Sequence, residues 1–414
     1  MPAIRGKYTK EEEALIAQVE SLKGRTTWVS EDWSPDNMYP VENRRVTPDF
    51  INSYCIATGE VLNPLWRNEQ YAKGTRWGVN IASPMAITKV AAACGQPHFL
   101  RFPESLARRV AVFDAGSTYR FFKPIRLGDY FKVQDVWYTG FEDKTRKDGT
   151  GDRQFLATSD RLYFNQDDGL VCVVKRRRMY VIYDAPKAGE AFGLVAQIPK
   201  FIEYPYTFEE LEDLIDPSII IDGDEDIRGA EARYWEDVKV GDEPKLLTYQ
   251  GFDKWSQTTV CQSSMVGKNV KRMQDVARKS DGLDKVLFRP DPRTNLPSYI
   301  GSVIIDDPVA PPFGITLALA LGVEIDMLLC HLITNWMGDD GVLKRFDTQH
   351  RTWSPREDSW LLKGKVIKKY QEDGENLVDM AVWAQSIRGY IASPSNCTVA
   401  LPSREAALLA YQKL

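Results

Sequence analysis

Two stretches of similar sequence, ASPMAIT (82–88) and APPFGIT (310–316), decide the fold of this chain. Each places proline before an apolar run, and the two stretches begin 228 positions apart, at 82 and 310. A second matched pair, FKPIRLGD (122–129) and RTWSPRED (351–358), recurs at an offset of 229 positions. Two independent matches at nearly one offset predict a duplicated unit, with a period far longer than that of a solenoid repeat.

Each copy has the pattern of a helix followed by strands. A proline in front of an apolar run suits the first turn of a helix, so we expect central helices that begin near Pro84 and Pro312. Thr47, in front of another proline, is the expected N-cap of an earlier helix. Strand-rich runs follow at 130–141 and 360–370. The pattern predicts an α+β fold in which a sheet wraps around each central helix.

The composition is that of a soluble globular protein. The chain has 414 residues, 43% of them hydrophobic and 27% charged, which suits two or three domains. Its net charge of −5 disfavours nucleic acid as a partner. Six widely spaced cysteines indicate reduced thiols, and the first residues lack the pattern of a signal peptide. We therefore expect a cytoplasmic protein.

One apolar run, residues 314–337, is long enough to require a membrane check. Glu324, Asp326 and His331 interrupt it, and acidic groups are costly at the middle of a bilayer. A helix buried inside the sheet is the preferred interpretation, so no membrane contact is expected. The three histidines are far apart from one another in the sequence, so no metal site is expected from local spacing.

The sequence resembles the MaoC-like dehydratase family, the (R)-specific enoyl-CoA hydratases, and its first half resembles the fatty-acid-synthase-type dehydratases within it. Six segments carry the resemblance. They are ATGEVLNPLW (57–66), RWGVNIASPMAI (76–87), FFKPIRLGDYF (121–131), YWEDVKVGDE (234–243), PVAPPFGIT (308–316) and VALP (399–402). Their order and duplication are more specific than any one of them.

The resemblance implies a double hot-dog fold, two antiparallel sheets each wrapped around a central helix. The expected domains are an N-terminal hot-dog at 8–185, an acidic connector at 186–232 and a C-terminal hot-dog at 233–403. It also implies that an acyl-CoA thioester lies between the halves, and that water adds across its C2–C3 double bond or leaves in reverse. Coenzyme A would enter as part of the substrate, with no further cofactor.

This chemistry needs donors for the thioester oxygen, which gains charge as an enolate forms. Backbone N–H groups at a helix N-terminus can supply them, whereas proline has no N–H. The expected donors are Met85 or Ala86 in the first copy and Phe313 or Gly314 in the second.

The loop at 59–66 departs from the family pattern, which the resemblance gives as Gly-Asp-x-Asn-Pro-x-His with Asp and His as the catalytic pair. Glu60 replaces the Asp, one residue is inserted, and Trp66 replaces the His, whereas Asn63 is retained. In one interpretation the loop is structural: Asn63 fixes a turn and Trp66 lines an acyl pocket. In the other, Glu60 is a lone general base whose pKa is raised by burial.

The second copy shows no acid–base pair at the expected position, residues 261–269. His350, where a strand of this copy begins, is the remaining catalytic candidate beside Glu60 and Asn63. The long segment 270–307 contains Asp281, Asp284, Asp291 and Arg293, which either fold back into the site or belong to a surface insertion. Trp66 and Trp77 are the expected acyl-pocket residues.

The basic run Lys175-Arg176-Arg177-Arg178 is either a solvated strand edge or a clamp for the phosphates of coenzyme A. Strand alternation places Lys175 and Arg177 on one face, and Arg176 and Arg178 on the other.

The sequence therefore predicts a hydro-lyase that hydrates an enoyl-CoA or dehydrates a 3-hydroxyacyl-CoA with a divergent acid–base site. The alternative is a non-catalytic acyl-CoA-binding subunit of a heteromeric hydratase whose partner carries the Asp/His pair. A thioesterase is a third possibility. A homo- or hetero-oligomer with another hot-dog subunit is expected in the first two cases.

Overall fold

The structure, a computed structural model, contains a few helices and many antiparallel strands. The described residues are 7–29, 44–90, 106, 109–146, 152–182, 207–209, 228–249, 288–299, 306–309, 318–352, 354–355 and 358–405. The α-helices are α1 (Lys10–Leu22), α2 (Pro48–Thr58), α3 (Pro64–Arg67), α4 (Glu69–Lys73) and α5 (Gly322–Met337). Short 3-10 helices span Pro84–Lys89, Trp235–Asp237 and Asp307–Val309.

The strands fall into two groups that follow the predicted duplication. In the first half they are β1 (Thr26–Trp28), β2 (Ile81–Ala82), β3 (Val110–Phe121), β4 (Ile125–Arg126), β5 (Lys132–Asp143), β6 (Arg153–Phe164) and β7 (Leu170–Ile182). In the second half they are β8 (Leu247–Tyr249), β9 (Phe288–Pro290), β10 (Pro297–Tyr299), β11 (Val342–Asp347), β12 (Trp360–Glu372), β13 (Glu375–Ser386) and β14 (Ile391–Ala400).

Ten strands form one sheet whose order is a mirror of itself. The order is β1-β5-β6-β7-β3 in the first half and β11-β14-β13-β12-β8 in the second. A short outer strand, three long antiparallel strands and an inner strand therefore recur in both halves. This topology confirms the duplication that the two sequence matches predicted.

The two halves join edge to edge through β3 and β11. Tyr119 pairs with Phe346 at the centre of this junction, and their rings lie 6.2 Å apart. We expected two sheets side by side, and in the structure backbone hydrogen bonds across the junction join them into one continuous sheet. Such pairing satisfies the inner edge of each half, which would otherwise expose unpaired N–H and C=O groups.

The central helix of the second half is α5, and the prediction of its starting residue was wrong. It begins at Gly322 rather than near Pro312, because Leu319 forms a β-bridge with Pro355 and the chain at 318–320 is not helical. The apolar run itself is helical from 322 to 337, as predicted, and 14 of its 16 residues are buried. In the first half, Pro84 opens a 3-10 helix that ends at Lys89.

The helix α2 begins as the sequence predicts. The hydroxyl of Thr47 accepts the N–H of Phe50 at 3.1 Å, and Pro48 occupies the first helical position. One large hydrophobic cluster contains residues of α2, α5 and both halves of the sheet. Within the described ranges, no helix combines the length and the hydropathy needed to span a bilayer.

Candidate active site

The helix α5 positions a pair of titratable residues, Asp326 and His350, at its N-terminal end. Asp326 lies one turn inside the helix and is 1% exposed. His350 follows β11, and its Nε2 lies 3.1 Å and 3.2 Å from the two carboxylate oxygens of Asp326. This arrangement resembles the acid–base pairs of enzymes, in which a carboxylate fixes the orientation of an imidazole.

A glycine allows His350 to lie directly on the helix start. A Cβ atom at Gly322 would lie 2.3 Å from both Cε1 and Nδ1 of the His350 ring, which is far inside van der Waals contact. The edge of the ring that faces away from Asp326 therefore covers the first helical residue. At this position the first backbone N–H groups of the helix have no carbonyl partner within it.

The carboxylates around His350 control its pKa. Burial is the largest single influence and lowers the pKa, but the charge and hydrogen bond of Asp326 outweigh burial and raise the pKa to about 9. Asp114 adds to this from β3, with its Oδ1 3.7 Å from Nδ1 of His350. Among the described residues, no hydrogen-bond partner reaches Nδ1. Nδ1 is buried against the start of α5, and it is the ring nitrogen that Asp326 leaves without a bond.

Further hydroxyl groups hold the Asp326 carboxylate from the second half. The hydroxyl of Thr348 donates to Asp326 Oδ2 at 2.9 Å, and that of Ser393 donates to Oδ1 at 3.5 Å. Thr348 also accepts the N–H of Ser117 at 3.0 Å, from the first half of the chain. The pair therefore lies at the junction of the two halves.

The predicted first-half candidate, Glu60, lies in the loop between α2 and α3 and packs against another part of α5. Its carboxylate is 0% exposed and accepts hydrogen bonds from the Trp66 indole N–H at 3.2 Å and from the Thr58 hydroxyl at 3.4 Å. Ser83 also bonds to this carboxylate and lies 3.9 Å from the sulfur of Cys330 on α5. Burial raises the pKa of Glu60 to about 7.

Glu60 and His350 do not form one site. Glu60 is placed beside Cys330, eight residues along α5 from Gly322, which corresponds to about 12 Å along the helix axis. Enclosure by Trp66, Thr58 and Ser83 keeps the Glu60 carboxylate from solvent. The structure thus places these two catalytic candidates at separate positions along α5.

Asn63 lies in a turn, which is the role that the structural interpretation of this loop gives it. Its side-chain oxygen accepts the N–H of Leu65 at 3.0 Å and caps α3, which Pro64 opens. Trp66 is 3% exposed and uses its indole N–H on Glu60. Whether Trp66 also lines an acyl pocket stays a prediction.

Trp77 packs at the opposite end of α5 from His350. Its indole N–H donates to the carbonyl of Asp339 at 2.8 Å, and the hydroxyl of Tyr71 donates to the Asp339 carboxylate at 2.5 Å. These contacts attach the first half to the loop that follows α5. The acyl-pocket role predicted for Trp77 gains no support from this position.

Two of the four predicted oxyanion donors already have partners. The N–H of Ala86 donates to the carbonyl of Ser83 at 2.9 Å, and the N–H of Met85 faces the sulfur of Cys330. Phe313 and Gly314 lie outside the described residues. The observed start of α5 instead places Gly322, the first helical residue, against the His350 ring.

The basic run follows the predicted alternation. Arg177 lies at the junction of the halves, where it donates to Asp347 Oδ1 at 2.8 Å and to Thr118 at 2.9 Å. Arg176 points to the other face, towards Arg161 and Asp135, and Arg178 lies on that same face beside Tyr138. Binding of coenzyme A phosphates by these arginines stays a prediction, and at Arg177 a phosphate would compete with Asp347.

The segment before α5 does not supply the missing residues within the described ranges. Arg293 pairs with Asp291 at 2.7 Å and with Asp306 at 2.5 Å, in and beside the hairpin of β9 and β10. Asp281 and Asp284 lie outside the described residues. The connector at 186–232 is likewise described only at 207–209 and from 228 onwards.

Asp326 is the site residue that the sequence interpretation missed. The sequence did indicate it, because Asp326 lies inside an apolar helical run and a buried carboxylate is costly unless it has a partner. In the sequence alone, the same carboxylate served only as evidence against a membrane span. The partner, His350, is 24 positions away, so local spacing did not connect the two.

Comparison with known proteins shows the fold. No protein-family model matches the sequence, and no curated protein sequence is similar to it. Among solved structures, a MaoC-like dehydratase superposes with a TM-score of 0.59 at 14% identity, covering 93% of this chain and 100% of the other. A putative MaoC domain protein dehydratase from Chloroflexus aurantiacus gives a TM-score of 0.52 at 14% identity, with 92% and 96% coverage.

The chain therefore has the double hot-dog fold of MaoC-like dehydratases along nearly its whole length. At this level of identity the likeness shows the fold alone. The function has to be argued from the site.

Proposed function

We propose that this chain hydrates an enoyl-CoA thioester, or dehydrates a 3-hydroxyacyl-CoA, at the Asp326–His350 pair. One observation carries the proposal: Asp326 holds the His350 ring against Gly322, at the N-terminus of the buried helix α5. Proton transfer and a helix N-terminus are the two elements that this reaction requires at adjacent positions.

In the hydration direction, neutral His350 takes a proton from water at Nδ1 while the water oxygen bonds to C3 of the substrate. The C2–C3 electron pair moves towards the thioester, whose oxygen gains the negative charge of an enolate. The N–H groups of Gly322 and Val323 stabilise this oxygen. The imidazolium then returns the proton to C2, and the same steps in reverse eliminate water.

Asp326 is a positioning residue in this scheme. It binds Nε2, so that Nδ1 faces the helix start, and its negative charge compensates the imidazolium that forms during the reaction. The same charge raises the pKa of His350 to about 9. Hydration therefore requires loss of a proton from the resting imidazolium near neutral pH.

The pair supports the enzyme over the non-catalytic subunit. The subunit alternative depended on the absence of an acid–base pair from the chain, and Asp326 with His350 supplies one. Coenzyme A as the thiol, an oligomer with another hot-dog subunit and a cytoplasmic location are parts of the same proposal.

The test is an assay of the purified chain alone with a series of 2-enoyl-CoA esters, in which loss of the enoyl-thioester absorbance is measured. Replacement of His350 by Gln should lower the rate about a hundredfold or more, the usual contribution of a general base. The matched control is Gln349→Ala, since Gln349 accepts hydrogen bonds from Arg351 instead of facing Asp326.

Two results would count against the proposal. Equal rates for His350→Gln and the unaltered chain would place the chemistry elsewhere. Activity that appears only after addition of a second hot-dog protein would favour the subunit alternative.

A further inference from the structure

Arg177, on β7 of the first half, binds the chain where it leaves β11 and enters the proposed site. Its Nη2 donates to Asp347 Oδ1 at 2.8 Å and to the carbonyl oxygen of Thr348. Its Nη1 donates to the hydroxyl of Thr118 at 2.9 Å. One guanidinium therefore binds two consecutive residues of the second half, and the later of them is two positions before His350.

The bonds of Arg177 form a closed group that is largely shielded from solvent. The side chain of Arg177 is 20% exposed and that of Asp347 is 22% exposed. The Thr118 hydroxyl donates to the same oxygen of Asp347 at 2.9 Å and completes a ring of three side chains. Because a guanidinium is planar and its N–H groups have fixed directions, these bonds define an orientation as well as neutralise a charge.

The backbones of the two halves also approach closely beside Arg177. The N–H of Thr348 donates to the carbonyl oxygen of Ser117 at 2.8 Å, one residue beyond the paired part of β3 and β11. A Cβ atom at Gly116 would lie 2.2 Å from the Thr348 carbonyl oxygen, and the φ of Gly116 is 104°, so glycine is needed there. Arg177 binds this same carbonyl oxygen, so the first half determines where Thr348 lies.

Thr348 connects Arg177 to the Asp326–His350 pair. Its hydroxyl donates to Asp326 Oδ2 at 2.9 Å, and Asp326 in turn bonds to Nε2 of His350. The N–H of His350 is farther from the first half, at 3.5 Å from the carbonyl oxygen of Ala115. The position of Thr348 therefore affects the carboxylate that orients the imidazole.

Arg177 also acts on His350 through its charge. Among the described residues, the charged groups that shift the pKa of His350 are Asp326 on α5, Asp114 on β3 and Arg177 on β7. Burial lowers this pKa, the two carboxylates raise it, and Arg177 lowers it, which together place it at about 9. A nearby cation favours the neutral imidazole, which is the form that accepts a proton from water.

We propose that Arg177 is a positioning residue of the proposed active site, through which the first half supports chemistry in the second half. By binding Asp347 and Thr348, it holds the Asp326–His350 pair in the orientation that hydration requires. This inference rests on the proposed function, and it assigns Arg177 to contacts within the chain instead of to a coenzyme A phosphate. A displacement of about 1 Å at a catalytic group can cost about a hundredfold in rate.

The first test compares kcat and KM for a 2-enoyl-CoA ester in the unaltered full chain and in Arg177→Gln. We expect kcat to fall about tenfold while KM stays nearly the same, because the substrate still binds and the pair is misplaced. Arg177→Lys should recover part of the loss, since lysine keeps the charge but loses the planar fork. Thermal unfolding of each variant establishes that it is folded at the assay temperature.

Arg345→Gln is the matched control. Arg345 lies on β11, is 51% exposed, and has its Nη2 3.4 Å from Oδ2 of Asp347, the other oxygen of the same carboxylate. Its replacement removes a like charge from Asp347 and leaves the bonds of Arg177 to Thr348 and Thr118 in place. Equal losses of kcat in the two glutamine variants would overturn the inference.

Binding of coenzyme A by Arg177 predicts a different result. A guanidinium on a coenzyme A phosphate would contribute to substrate binding, so Arg177→Gln would raise KM and leave kcat unchanged. The effect would also disappear with a pantetheine thioester, which lacks the phosphates. That pair of outcomes would assign Arg177 to the substrate, and the positioning role would be wrong.

An NMR titration of the His350 ring tests the inference without turnover, with the signal identified by its loss in His350→Gln. Removal of a positive charge makes protonation easier, so Arg177→Gln should raise the His350 pKa above about 9, by roughly half a pH unit. Arg177→Lys and Arg345→Gln should move it much less. An unmoved His350 titration in Arg177→Gln would overturn the inference.

The inference and the proposed function can fail separately. If no enoyl-CoA is hydrated by the unaltered chain, the proposed function is wrong, and the His350 titration still decides whether Arg177 acts on the pair. Hydration with an unchanged kcat in Arg177→Gln would leave the function and remove the inference.

Discussion

Two buried carboxylates, Glu60 beside α5 in the first half and Asp326 on α5 in the second, differ in their partners. Glu60 is bonded by Trp66, Thr58 and Ser83, none of which titrates near neutral pH. Asp326 is bonded to His350, which does. Burial raises the pKa of Glu60 to about 7, and burial also raises the pKa of Tyr54, a further partner of Glu60 among the described residues, well above its ordinary value. A perturbed pKa therefore identifies a candidate, and the presence of a titratable partner decides between candidates.

The largest effect on the rate of hydration is expected when the His350 ring is displaced from the N-terminus of α5. Gly322→Ala adds a Cβ that would meet the ring at 2.3 Å, so the ring must move. We expect enoyl-CoA hydration to fall about a hundredfold, the scale of a misplaced general base. The thermal midpoint should also fall by a few degrees, because the added methyl group overpacks a half-buried site, so the rates are compared at a temperature at which both variants are folded. Gly74→Ala, which meets a backbone oxygen at 3.3 Å far from His350, is the control, and equal losses in both variants would contradict the role of Gly322.

Removal of the Asp326 charge tests, through the pH dependence of the hydration rate, whether Asp326 sets the pKa of His350. In the unaltered chain, the rate of hydration should rise with pH and level off near the His350 pKa of about 9. Asp326→Asn leaves burial, which lowers this pKa, so the inflection should move down by about two pH units. The maximal rate should also fall about tenfold because the ring loses its orientation. The check is kcat/KM between pH 5 and 10, and an unmoved inflection would show that Asp326 does not act on His350.

Glu60→Gln tests whether the first-half carboxylate is structural. Its pKa is raised from 4.5 to about 7 in the folded chain, so its stabilising effect is complete below pH 4.5 and lost as pH rises through about 7. Above pH 7 the ionised form costs about 3 kcal/mol, which glutamine avoids. Urea unfolding should therefore show Glu60→Gln to be more stable than the unaltered chain at pH 8 and similar to it at pH 4.5. A collapse of hydration in this variant would return the chemistry to the first half.

The smallest effect is expected from a single hydroxyl beside Glu60. Thr58→Val removes a hydroxyl that lies 3.0 Å from the Tyr54 carbonyl oxygen and 3.4 Å from the Glu60 carboxylate, at a cost of about 1 kcal/mol, and only the part due to Glu60 should grow above pH 7 as Glu60 ionises. Thr334→Val is the matched control, because Thr334 is a buried helical threonine that donates to a backbone carbonyl, the His331 oxygen. If both variants lose stability with the same pH dependence, the hydroxyl of Thr58 does not serve Glu60.

The features that the sequence predicted depend on local or repeated patterns. Thr47 caps α2, the basic run alternates between two faces, and the duplicated matches at 82–88 and 310–316 correspond to two mirrored halves. Each of these follows from backbone geometry within a few residues or from self-comparison of the chain. Such signals remain readable without knowledge of the three-dimensional contacts.

The features that it did not predict depend on contacts between distant segments. The β-bridge of Leu319 with Pro355 delays the start of α5 to Gly322, against the preference that Pro312 suggested. The pairing of Asp326 with His350 arises because β11 returns the chain to the start of the helix. In the loop at 59–66, similarity to a catalytic motif drew attention to a residue, Glu60, that the structure encloses.

The two halves, which the continuous ladder between β3 and β11 joins within one polypeptide, differ in the residues that they place at the site. In an assembly of two identical single units, every substitution appears twice, so neither copy can abandon chemistry while the other keeps it. Covalent linkage removes that constraint. The loop around Glu60 is then free to become scaffold, and each polypeptide is expected to bind one acyl group rather than two.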